Sequence, residues 1–168
     1  MSDKTLGRTI LQKLCYFAEA AGAPLPFRFE IHPYGPFSQE VFEVTENPIV
    51  DDVIGDKSSD PQRSDYAPGG NLEILLNQHS DELAEHKSKL DNVAKTFSEL
   101  SPKEMELVST IHYIHTPSLQ WHKQRPSKES VVDTVYEIKK SKFDKHLIGK
   151  VYDILQEAGL LPSANAAS

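Results

Sequence analysis

Cysteine is almost absent from this 168-residue chain. Cys15 stands alone, so no internal disulfide can form, and its place between Leu14 and Tyr16 in an apolar helical pattern predicts a core residue. A reducing, cytoplasmic setting fits that usage. At this length folding buries roughly 70% of the unfolded chain's surface, so neither a disulfide nor a structural metal is needed for stability. Long apolar runs are missing too: no segment approaches the ~20 residues that cross a bilayer, which excludes a membrane partner of that kind. Lys4, Arg8, Lys13 and Glu19 interrupt the N-terminal stretch before it reaches the apolar length of a secretory signal. There is no Gly-x-Ser-x-Gly elbow for a nucleophilic serine, and Gly69-Gly70 lacks the Lys-Ser/Thr of a phosphate loop. Asp51, Asp52, Asp56 and Asp60 lack the spacing and terminal glutamate of a calcium loop. Glu85-His86 ends like an inverted zincin motif, but Glu82 stands where its first histidine is required. No cofactor is therefore expected.

An excess of base is also lacking. The formal net charge is -7 with a pI near 5.5, which disfavours nonspecific nucleic-acid binding, because that binding draws on phosphate neutralisation. The charge is unevenly spread. From Glu40 to Asp60 there are seven acids (Glu40, Glu43, Glu46, Asp51, Asp52, Asp56 and Asp60) against the one base Lys57. From Trp121 to Lys150 eight bases oppose four acids. Two solvated faces that keep the chain soluble are the simplest reading; partner steering is the alternative.

What is present is helical periodicity. Ile10, Leu14, Phe17 and Ala21 share one stripe of a helix over about 5–21, which Gly22 and Pro24 end. Phe27, Phe29 and Ile31 alternate with Arg28 and Glu30, the period of a half-buried strand. Tyr34-Gly35-Pro36 is turn chemistry, and Ser38 is placed to cap a brief helix over about 39–45. Segments 49–54 and 63–66 flank a polar run, 55–62, that reads as the mobile tip of a hairpin. Leu83, Leu90, Val93, Phe97 and Leu100 predict a helix over about 80–100.

Ser101-Pro102-Lys103-Glu104 carries a serine N-cap, proline at the first helical position and a glutamate placed to close a capping box. Met105, Val108, Ile111 and His112 or His115 form the inner stripe of the helix that follows, which Thr116-Pro117 is expected to end. Ser127 caps a helix containing Val131, Val132, Val135 and Tyr136. The last helix, over about 144–158, is expected to bury Leu147, Val151, Ile154 and Leu155, with Gly159 as a left-handed cap.

Few side chains invite chemistry. His112, His115 and His122 come nearest to metal-ligand spacing, but a site there requires His122 to fold back, and packed histidines are the simpler reading. Trp121 beside His122, Lys123 and Arg125 suits a partner surface, with ordinary packing of its ring as the alternative. The candidate partner-binding residues are thus Glu40, Glu43, Asp51, Asp52, Trp121, Lys139 and Lys140, with no catalytic, cofactor or metal residue.

The run Leu11-Gln12-Lys13-Leu14-Cys15-Tyr16-Phe17, then Phe27-Arg28-Phe29, then Tyr34-Gly35-Pro36-Phe37-Ser38 resembles the opening of YwgA-like bacterial and archaeal proteins. More distantly it resembles the Panacea domain of SocA-like antitoxins, where a Lys-Leu-x-Tyr helix also precedes a Tyr-Gly-Pro turn. The closing run Ile154-Leu155-Gln156-Glu157-Ala158-Gly159-Leu160-Leu161 looks like their last helix. These segments cover about half the chain. The resemblance implies a mainly helical domain with a small sheet and a non-enzymatic role in holding a toxin. Lys13, Leu14, Tyr16, Tyr34, Gly35 and Pro36 are the positions that match; Cys15 and Phe37 depart from the antitoxin pattern.

The expectation is therefore an α+β, mainly α chain: a helical domain with a small two- or three-stranded antiparallel sheet, winged-helix-like. One compact domain over 1–161 is expected, with a helix and small-sheet region 1–78, a helical region 79–161 and a disordered tail 162–168. The expected function is protein binding, as an antitoxin or an accessory subunit of a toxin-antitoxin or phage-defence complex, with a toxin or complex subunit as partner. A winged-helix-like DNA-binding regulator and a metal-dependent hydrolase are the alternatives.

Overall fold

The computed structural model describes residues 6–122, 126–140 and 142–162, and their side chains except those of 46–50 and 117–122. Within them the order is α1 (Arg8–Ala20), β1 (Glu30–His32), β2 (Gly35–Phe37), α2 (Gln39–Val50), β3 (Ile54–Asp56), β4 (Tyr66–Pro68), α3 (Leu72–Gln78), α4 (Ser80–Phe97), α5 (Pro102–His122), α6 (Lys128–Lys139) and α7 (Lys145–Glu157). This is a mainly helical α+β chain. In place of one sheet there are two separate two-stranded ribbons, β1-β2 and β3-β4. The chain divides into two compact units, one of residues 1–29 and 37–102, the other of 30–36 and 103–168. Of the tail 162–168, residues 163–168 lie outside the described residues.

In the first unit α1 packs on α4 and α2. The Phe17 and Phe97 rings stack with centroids 3.9 Å apart, and Tyr16 meets Phe29 edge-on at 5.4 Å. An aromatic pair of this kind adds about 0.5–1.5 kcal/mol beyond the area it buries. The helix ends as its glycine foretells: Gly22 takes φ +85°, Gly22 N–H donates to Glu19 and Ala23 N–H to Ala18, satisfying carbonyls that helix geometry leaves open. More of α1 is buried than one stripe accounts for, because Gln12 and Lys13 are buried beside Tyr16 and Phe17. Gln12 clamps the backbone of Ser38, donating to its carbonyl at 2.9 Å and accepting from its N–H at 3.0 Å. That clamp sets where α2 begins. Ser38 then accepts from Val41 N–H and donates to Glu40 Oε2 at 2.6 Å.

α2 runs further than its cap and apolar pair suggest, through Pro48 to Val50, so residues 49 and 50 are helical and the following hairpin is shorter. Its register pairs Ile54 with Pro68, Gly55 with Ala67 and Asp56 with Tyr66. The polar tip is tied down: Asp56 Oδ1 accepts from Ser58 N–H at 3.0 Å and Asp65 N–H at 2.8 Å, and Asp60 Oδ1 accepts from Gln62 N–H at 2.9 Å. Those two backbone bonds to Asp65 and Ser58 hold the Asp56 carboxyl below the usual carboxylate range.

In the second unit Met105, Ile111, Val131, Val135, Ile148 and Tyr152 are buried almost completely. α5 starts at Pro102 as its capping sequence requires, but it continues through Thr116 and Pro117 to His122. Ser127 accepts from Ser130 N–H at 3.1 Å and Asp144 from Leu147 N–H at 2.8 Å, so both of the last helices begin on a side-chain cap. Gly159 is left-handed at φ +67°, with Leu160 N–H donating to Leu155.

The stripe on α7 differs from expectation. Ile148, Tyr152 and Leu155 face the core, while Leu147 and Ile154 are exposed and Val151 is half-buried. Both sets obey helical spacing, so spacing alone cannot choose between them.

Candidate functional site

No described residue of α3 is buried. Ile74 is 57% exposed and Leu75 and Leu76 are each 39% exposed, on a helix only seven residues long. Burying an aliphatic side chain of this size fully is worth about 1.5–3 kcal/mol, and here the chain forgoes roughly half of it at Ile74 and a smaller part at Leu75 and Leu76.

A backbone crossing holds that helix in place. Asp52, in the left-handed region at φ +55°, accepts from Asn71 N–H through its carbonyl at 2.9 Å and from Gly70 N–H through Oδ2 at 3.1 Å. Asn71 Nδ2 donates back to the carbonyl of Asp51 at 2.9 Å. A side chain on Gly69 would overlap the Asp52 carbonyl, so glycine is required there by contact with backbone. The turn that carries Asp51 and Asp52 is thus fastened to the start of α3.

The electrostatics are one-sided. No lysine or arginine occurs between Arg63 and Lys87, whereas Asp65, Glu73, Asp81, Glu82 and Glu85 do. Asp51 and Asp52 are both exposed and add to these acids. Exposed aliphatic side chains on α3 thus stand in a stretch, 64–86, whose aspartates and glutamates meet no lysine or arginine, within the first unit.

The other candidate residues fall elsewhere. Glu40 lies at the opposite end of α2 from Asp51, about 15 Å along the axis. The Ser38 hydroxyl, and after it backbone N–H groups, hold its carboxyl low. Glu43 is exposed and accepts from Gln39 Nε2 at 3.2 Å. Trp121 falls in α5, with its side chain outside the described ones.

Lys139, counted from the sequence among surface candidates, is instead buried. Its ammonium donates to the Pro33 carbonyl at 2.8 Å and to Glu106 Oε1 at 3.1 Å, while Lys142 donates to Glu106 Oε2 at 2.7 Å. The Lys139 side chain is 0% exposed and that of Glu106 5%. Burial pushes the Lys139 ammonium below its ordinary value, against the pull of Glu106. Lys140 is exposed and left-handed at φ +46°, ending α6. Of the six described bases of the run, four are paired within the unit, because Lys128 also pairs with Asp153 at 2.6 Å and Lys145 with Asp133 at 2.7 Å.

Of the three histidines nearest to metal-ligand spacing, His112 and His115 are packed. His115 is fully buried, with Nε2 3.0 Å from the Pro162 carbonyl and Nδ1 3.3 Å from the Tyr152 hydroxyl. A carbonyl can only accept, so Nε2 carries the proton and Nδ1 accepts from Tyr152. His112 is buried beside it, and burial, helped by His115, takes its pKa down to about 4. No group of three or more possible metal ligands occurs among the described residues; the His122 side chain lies outside them. Cys15 is half-buried, and burial pushes its thiol up to about 11, a poor nucleophile.

No element is expected from the sequence between Pro68 and Ser80, where the structure has α3. Leu72, Leu75 and Leu76 stand at helical spacing, and that signal was available. No helix among the described residues is long and apolar enough to cross a membrane. No protein-family model and no curated protein matches the chain.

Proposed function

We propose that this chain is a non-enzymatic protein-binding module of a bacterial or mobile-element system, such as an antitoxin or an accessory subunit of a toxin-antitoxin or phage-defence complex. The observation that carries the reading is α3: three partly exposed aliphatic side chains on a helix whose start is fastened to the Asp51-Asp52 turn, in a stretch of acids without a lysine or arginine. A partner that suits it presents an apolar pocket with a basic rim. Ile74, Leu75 and Leu76 would supply the desolvated centre of the contact, where most binding energy concentrates. Asp51, Asp52, Glu73 and Asp81 would steer the approach and set its register.

The potentially reactive groups support a structural role. His115 spends both ring nitrogens on Pro162 and Tyr152, and Glu106 spends both oxygens on lysines. Pairing of Lys128, Lys139, Lys142 and Lys145 with acids leaves two of the six described bases of the segment, Lys140 and Lys150, uncommitted for a nucleic-acid backbone. The resemblance to YwgA-like and SocA-like proteins points the same way.

The test is co-expression with the products of the neighbouring genes and co-purification at low and at high salt. Capture lost on Ile74→Asp or Leu75→Asp, and association slowed by Asp51→Asn with Asp52→Asn, is the expected result. A chain that purifies alone, or turnover of a substrate abolished by one polar substitution, overturns the reading.

A further inference from the structure

The last helix carries two apolar stripes, and the chain buries only one. Leu147, Val151, Ile154 and the cap residue Ala158 recur at intervals of four, three and four, so they share a face, turned about 100° from Ile148, Tyr152 and Leu155. On that face Leu147 is 39% and Ile154 61% exposed, with Val151 half-buried and Ala158 exposed. Along its edge stand Lys150 and Glu157, two turns apart and of opposite sign. Neither makes an ion pair or hydrogen bond through its side chain among the described residues, whereas their neighbours Lys145 and Asp153 are taken by Asp133 and Lys128.

We propose that this stripe is a self-association face, on which α7 of one copy of the chain lies antiparallel to α7 of a second copy about a twofold axis. Reversing the helix direction sets Val151 against Ile154 of the second copy and Leu147 against its Ala158. The same operation brings Lys150 of each copy within two residues, about 3 Å along the axis, of Glu157 of the other, within reach of both side chains and twice by symmetry. A parallel pair brings neither charge to its opposite. The edge is therefore self-complementary in one orientation only, and that complementarity identifies the occupant. α7 is about 20 Å long, and one face of it covers less than the roughly 800 Å² per partner of a standard interface, so the dimer is weak, with a Kd between about 10 μM and about 1 mM. The face lies in the second unit and does not depend on the role given to α3.

Sedimentation velocity of the full chain from about 10 μM to about 1 mM tests it. A rise from monomer towards dimer across that range is expected. Ile154→Asp, at a position exposed in the monomer, should abolish the rise while leaving the melting temperature unchanged. Lys150→Glu and Glu157→Lys, made singly, each place like charges together at two symmetric positions and should weaken association about tenfold. Made together they restore opposite pairs and should return it to within about threefold of the parent. A chain that stays monomeric throughout, a dimer that survives Ile154→Asp, or a double variant as weak as the single ones overturns the proposal.

Discussion

Changing Glu106 to glutamine should damage the second unit more than any surface substitution. In the parent the carboxylate faces Lys139 at 3.1 Å and Lys142 at 2.7 Å, with Lys139 fully enclosed. Glutamine keeps the shape and one carbonyl oxygen but leaves a buried ammonium whose remaining strong acceptor is the Pro33 carbonyl. Removing one member of a buried pair costs about 3–5 kcal/mol, most of it the uncompensated charge. Against a typical total of about 5–15 kcal/mol this is severe. At about 2–4 °C per kcal/mol for a chain of this size, the melting temperature should fall by roughly 6–20 °C. Lys142 is 42% exposed and can turn to water, so Lys142→Met should cost less than about 1 kcal/mol. Glu106→Leu combined with Lys139→Met removes both buried charges and should recover most of the loss, because apolar replacements of a buried pair are often neutral. Urea denaturation followed by circular dichroism measures all three variants. A Glu106→Gln variant within about 1 kcal/mol of the parent, or a double variant no better than the single, would refute the reasoning.

His112 provides a pH dependence. Its folded pKa of about 4 lies below the ordinary 6.5, so the unfolded chain takes up a proton first as pH falls. Its contribution is therefore fully present above pH 6.5 and is lost between there and about pH 4, by roughly 3 kcal/mol. His112→Gln should flatten the stability curve in that window, measured by urea melts at several pH values. Cys15, with its thiol near 11 against an ordinary 9.0, holds about a hundredfold less thiolate at neutral pH. A thiol reagent should label it at least that much more slowly in the native chain than in denaturant; equal rates would show that burial there is not real. Gly69→Ala drives a methyl into the Asp52 carbonyl and should cost about 1–3 kcal/mol, whereas Gly55→Ala, with open space around it, should cost well under half as much in the same thermal melts.

Much of the candidate site was legible in part. Asp51 and Asp52 stand out by charge in the sequence, and the structure fastens their turn to the start of α3; the exposed aliphatic residues of that helix do not stand out, although Leu72, Leu75 and Leu76 carry the spacing of a helix face. The reason is that α3 is too short for periodicity to be distinctive, and its position follows from bonds between Asp52 and Gly70-Asn71, nearly twenty residues apart. Lys139 shows the opposite failure. A lysine in a basic run reads as surface, and only its partner at position 106, on another helix, makes burial tolerable.

The starts of α5, α6 and α7 and the ends of α1 and α7 were set by local sequence, whereas α2 and α5 run past the ends their sequence suggests. Gly22, Pro102, Ser127, Asp144 and Gly159 act on backbone groups within one turn of themselves, so their effect needs no other part of the fold. Which stripe of α7 is buried, which charges are paired, and where α3 is pinned were decided by tertiary structure. Spacing along a helix says which residues share a face, but the choice of the face that meets another element depends on volumes and partners brought together from distant positions.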